Sequence, residues 1–120
     1  METTQDRLHN QVTAIAEALE NGIIVTAEDI EDGYYEEYCE GDIISGFDYL
    51  SDVLDINYIV SSHKEYLGAE VLVAFGGPNI YINTRSKTVS GYWGSDKAEV
   101  SYYSDAMNIN EALEELYNIN

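Results

Sequence analysis

Carboxylates are the groups this chain offers to chemistry in number. Glu28, Asp29, Glu31, Asp32, Glu36, Glu37, Glu40, Asp42, Asp48, Asp52 and Asp55 are 11 acids within residues 28–55, and no lysine or arginine stands among them. Tyr34, Tyr35, Tyr38 and Tyr49 are interleaved with them. Crowded oxygens suit three tasks: holding a hard cation, moving protons, or meeting a cationic surface. A calcium loop of the EF-hand type needs oxygen ligands at its positions 1, 3 and 5, glycine at 6 and glutamate at 12. With Gly33 at position 6, Ile30 falls at 3 and Cys39 at 12, so two ligands are missing and no metal site is assigned. Paired carboxylates for glycoside chemistry need a cleft that separates their pKa values. Among 23 acids, pairs arise by chance and identify nothing.

The other reactive residues are sparse. Cys39 and His63 lie in no catalytic signature, and a zinc site needs three or four ligands at constrained spacing. One cysteine and two histidines, His9 and His63, do not supply that pattern. Gly76-Gly77-Pro78-Asn79 is glycine-rich but leads into a strand, and no Lys-Ser or Lys-Thr follows at phosphate-loop distance. It reads as a hairpin turn. No residue pattern identifies an enzyme, and no cofactor is expected.

The third task remains, and the charge distribution favours it. The chain has 120 residues and a formal net charge of −18. Residues 1–55 hold 15 acids and one base, Arg7; residues 56–95 hold two acids and three bases; residues 96–120 hold six acids and one base. Solubility is normally met by a net charge of about 2–8 in magnitude with mixed signs. The excess here, gathered at one end of the sequence, costs stability through self-repulsion. A basic partner surface gives it a use. Direct binding to DNA or RNA is excluded, because both are polyanions.

Apolar patterning gives the elements that must carry these residues. Leu8, Val12, Ile15, Ala16 and Leu19 form one helical stripe, started by Thr3 or Thr4 and stopped at Asn21-Gly22. Thr26-Ala27-Glu28-Asp29 has the form of a capping box for a second, short helix. Gly46 to Leu54 predicts a third, with Phe47, Leu50, Val53 and Leu54 on its apolar side. Tyr58-Ile59-Val60, Glu70 to Phe75, Ile80 to Asn83, Thr88 to Trp93 and Ala98 to Tyr103 read as strands with short turns between them, which implies an antiparallel meander. Asn108 to Tyr117 predicts a last helix, capped by Asn108, with Ile109, Ala112, Leu113 and Leu116 buried. The fold class is α+β: N-terminal helices, a four- or five-stranded antiparallel sheet, and a C-terminal helix packed on one sheet face. One domain is expected over residues 1–120: an acidic helical part to about 55, a β-meander to about 103, and a helix over about 108–118. With 45% apolar residues the chain can bury one modest core. The longest apolar run, Val71 to Phe75, is too short to span a bilayer. Residues 1–7 lack the order of a signal peptide. With a single cysteine there is no disulfide framework, which fits a cytoplasmic location.

The size, the charge and its placement over the whole chain resemble the small acidic proteins that bacteriophages and other mobile elements use against host defence. These are the DNA-mimic anti-restriction and anti-CRISPR proteins. The segments Val73-Ala74-Phe75-Gly76-Gly77-Pro78-Asn79-Ile80-Tyr81-Ile82-Asn83-Thr84 and Ala112-Leu113-Glu114-Glu115-Leu116-Tyr117-Asn118 are similar to small proteins on mobile elements of Gram-positive bacteria. That class shares no one fold or motif, so no functional residue carries over. The resemblance implies stoichiometric inhibition of a nuclease by occupying its DNA site, in the cytoplasm of the host cell. The partner would be a basic nucleic-acid-binding protein such as a CRISPR effector or a restriction enzyme. The partner-binding residues would be the 11 acids named above with Tyr34, Tyr35 and Tyr38, and Glu111, Glu114 and Glu115 would form a second patch. The alternative is an acidic adaptor, an immunity protein or secretion chaperone, for some other basic protein. The sheet edge offers a route to a homodimer.

Overall fold

A computed structural model describes residues 1–119. The chain begins with α1 (Thr4–Asn21), α2 (Ala27–Glu31) and α3 (Gly46–Ser51). Five strands follow: β1 (Asp55–Val60), β2 (Tyr66–Ala74), β3 (Asn79–Asn83), β4 (Thr88–Trp93) and β5 (Asp96–Ser101). α4 (Ile109–Asn118) comes last. The strands form one sheet in the order β1-β2-β3-β4-β5, with antiparallel neighbours throughout. This is the predicted α+β meander with five strands.

The sheet separates its two faces by the alternation of its side chains. Register places Ile56, Val71, Ile82, Val89 and Val100 side by side across all five strands. Val71, Ile82 and Val89 are fully buried there. α1 covers β4 and β5, and α4 lies against β2 and α3. The inward residues of both helices, Leu8, Val12, Leu19, Ile109 and Leu113 among them, share one core cluster with the sheet. Gly91 permits the close approach of α1. A Cβ at that position would stand 2.7 Å from both Leu8 Cδ1 and Val12 Cγ2. Tyr58, Tyr66 and Tyr117 pack ring to ring and tie α4 to the β1–β2 hairpin. The Tyr66 hydroxyl donates to Asn110 Oδ1 at 2.6 Å, and the Tyr117 hydroxyl donates to the Lys64 carbonyl at 2.7 Å.

Helix starts follow the expected local chemistry, with one correction. Thr3 and Asp6 form a full capping box on α1, and Thr26 and Asp29 form one on α2. Gly22, at φ 83°, ends α1. At α4 the cap is not the Asn108 side chain, which makes no capping bond. Asp105 takes the role instead, accepting from the Ile109 and Asn110 amides at 2.9 Å each. Asn108 sits in the left-handed region at φ 56°, so its side chain does not reach back over the first turn.

The third helix is shorter than predicted. It ends at Ser51, before Val53 and Leu54 can join its face, and only Gly46 and Leu50 are buried in it. Phe47 is 46% exposed and Leu54 59% exposed, so neither belongs to the core. Strand boundaries also move. β2 starts at Tyr66 because its first residues pair with β1. β5 ends at Ser101, and Tyr102 leaves the sheet to become buried.

Candidate functional site: an acidic wall with two tyrosines

Residues 22–53 connect α1 to the sheet by a path that is mostly irregular, and four local devices fix it. Ile24 and Ile43 form an antiparallel bridge. Around it the Val25 amide donates to the Asp42 carbonyl at 2.8 Å, and the Gly41 amide donates to the Val25 carbonyl at 2.8 Å. The Asp42 carboxylate closes the turn, accepting from the Cys39 amide at 2.9 Å. Ser45 caps α3 by accepting from the Asp48 amide at 3.1 Å. The fourth device is Tyr38. Its hydroxyl accepts from the Ser45 amide at 2.8 Å and donates to Asp48 Oδ2.

These devices bring part of the acidic segment together. Glu36, Glu37, Asp48 and Asp52 line a shallow cleft of about 360 Å³ with Tyr35 and Tyr38. The two rings meet edge to face, 5.8 Å between centroids. Tyr35 occupies the left-handed backbone region at φ 56°, unusual for an aromatic residue, and this turns the chain at the cleft. Its hydroxyl is held in the neutral form, its pKa raised first by desolvation and then by Asp29, Asp52 and Asp48. Asp48 and Asp52 line the cleft with Tyr35, from α3 and its C-terminal cap, and Asp29 stands on α2. A cation entering the cleft meets fixed negative charge from several elements, with aromatic faces beside it.

The remaining candidates stand outside the cleft lining. Glu28 and Glu31 are exposed on α2, and Asp32 is its C-terminal cap residue. Tyr34 is 64% exposed, and Glu40 is exposed in the turn before Asp42. Asp55 begins β1 and accepts from the Asn57 side-chain amide at 3.2 Å. The expected second patch divides: Glu111 and Glu115 face a groove beside residues 43–47, whereas Glu114 lies toward Tyr66. α2 has five residues and α3 six, so each carries its carboxylates over little more than one turn. The loop acids Glu36 and Glu37 stand beside Asp48 of α3 and its cap residue Asp52 in the cleft.

Cys39 and His63 are both exposed, in the turn before Asp42 and the β1–β2 turn respectively. Among the described residues no group of three His, Cys, Asp or Glu side chains is placed to hold a metal ion, and no helix is long and apolar enough to cross a membrane. Sequence reasoning missed Ser51 and Gly33 at the cleft, and the groove beside Phe47 altogether. The signal for the groove was Phe47, which reads as core by its helical spacing to Leu50 and which the structure leaves exposed. Searches against protein-family models, curated proteins and solved structures return no match.

Proposed function

We propose that the chain is a non-enzymatic inhibitor whose carboxylate-rich surface occupies the basic DNA- or RNA-binding groove of a host defence nuclease, such as a CRISPR effector or a restriction enzyme, in the cytoplasm of the host cell. The observation that carries this reading is the cleft at Tyr35 and Tyr38, where Glu36, Glu37, Asp48 and Asp52 converge within a segment that holds no base. A lysine- or arginine-lined groove built for phosphate accepts fixed carboxylates at similar spacing, and its counterions are released as they would be by DNA. Tyrosines supply rigid contact area with a polar tip.

The test is reversal of Glu36, Glu37 and Glu40 to lysine, which leaves the Asp42 brace of the turn in place, with reversal of Arg85 and Lys87 as the control. The expected outcome is loss of partner binding and inhibition in the first variant and retention in the second. Unchanged binding by the first variant overturns the assignment of this surface. An acidic adaptor for a basic protein that does not bind nucleic acid is the second reading, and the exposed apolar residues beside the acids favour it. Competition separates the two: duplex DNA displaces a mimic from its partner and leaves an adaptor in place.

A further inference from the structure

Ile43 and Phe47 are 44% and 46% exposed, while their neighbours Ile44 and Gly46 are buried. Ile24, 56% exposed, is bridged to Ile43, so the two side chains project from the same face. Residues 43–47 form one wall of a groove of about 300 Å³, and α4 with the loop before it forms the other. Gly46 lets the walls approach, since a Cβ there would lie 2.7 Å from the Asn108 carbonyl oxygen and 2.8 Å from that of Met107. On the α4 side stand Glu111 and Glu115, one helical turn apart on one face. α4 itself contains no lysine or arginine.

We propose that this groove docks a cationic amphipathic helix of a protein partner, an apolar side chain seated against Ile43 and Phe47 and flanking lysines or arginines meeting Glu111 and Glu115. Charge complementarity selects this occupant. A second copy would bring another chain of charge −18 and the same two glutamates against the rim. An anionic lipid surface or a nucleic acid meets the same repulsion. An apolar floor with an acidic rim is the complement of a helix that carries leucine-type anchors on one face and basic residues beside them. This contact deepens the reading above and rests on it only for the sign of the partner's charge.

The test uses the full chain, labelled for amide NMR, and two synthetic helical peptides of about 14 residues. One is composed of leucine and lysine in amphipathic order; the other has equal charge with glutamine in place of leucine. The expected result is that the leucine peptide shifts the amides of residues 43–47 and 106–115, and the glutamine peptide leaves them in place. Phe47→Ser removes an exposed ring and so spares the core. It weakens the leucine peptide by about tenfold or more. Reversal of Glu111 and Glu115 to lysine weakens it as well. Groove amides that do not move, equal shifts from both peptides, or unchanged affinity in Phe47→Ser overturn the proposal. Groove shifts that persist in the Glu36, Glu37 and Glu40 reversal show that this contact stands whether or not the cleft binds a nucleic-acid groove.

Discussion

Tyr38 is the residue on which the shape of the acidic wall turns. Its hydroxyl joins the Ser45 amide at the start of α3 to the Asp48 carboxylate, ten positions further along the chain. Tyr38→Phe removes both bonds and leaves Asp48 without that donor. A half-exposed site lets water replace part of the loss, so destabilisation of about 1 kcal/mol is expected in urea unfolding. The amides of residues 45–52 should also exchange faster. A second prediction concerns phenol ionisation. Tyr102 is buried, and burial, followed by Asp105, Tyr66 and Tyr49, drives its pKa far above the ordinary value of 10.0. Burial raises Tyr49 and Tyr66 too. The native state thus holds these protons more tightly than the unfolded chain. The stability they contribute is fully present below the unfolded pKa and is lost as pH rises above it. Thermal midpoints should fall as pH is raised past about 10, and the fall should be shallower in Tyr102→Phe.

At the level of elements, two glycines set the separations between layers. Gly91→Ala drives a methyl group into Leu8 and Val12, and a loss of about 1–3 kcal/mol is expected from overpacking. Gly46→Ala meets backbone oxygens of residues 107 and 108, which cannot rotate away as a side chain can. It should separate α3 from α4, seen as faster exchange at the Asn110 and Ala112 amides and not in the sheet. The layers themselves were legible from sequence because they follow from periodicity. Leu8, Val12, Ala16 and Leu19 repeat at helical spacing and are all buried, and Thr88 to Trp93 alternates as β4 does. What escaped was set by tertiary contact. Asp105 displaced Asn108 as the cap of α4 because the loop backbone, not the residue type, placed it over the first turn. Phe47 read as core because its spacing to Leu50 is helical, but a helix of six residues has too little length for its flanks to settle which side turns inward. Within the candidate site, the acids were evident from composition. Which of them converge was not, since that depends on the left-handed turn at Tyr35 and the Tyr38 brace.

The whole molecule is extended for its mass. A folded chain of this size exposes roughly 6,500 Å², and this one exposes 7520 Å². Its radius of gyration is 15.3 Å, against about 13.6 Å for a chain of this length. A core covered on one face only leaves a narrow margin against the repulsion of 23 acids facing 5 bases. Screening should therefore stabilise it. Raising sodium chloride from low to about 0.5 M should lift the melting temperature by several degrees, roughly 4 °C for each kcal/mol of repulsion relieved. A chain held together by ion pairs would instead lose stability. The proposal gives this accumulation of like charge a use, a cationic counterpart, and the most direct measurement is displacement. The protein is immobilised, its partner is captured from host lysate at low salt, and duplex DNA is added in steps. The expected result is release of the partner by DNA at concentrations near its own DNA affinity, with capture failing steeply as salt rises. A partner that stays bound under saturating duplex, and does so equally at high salt, contradicts occupation of a nucleic-acid groove by these carboxylates.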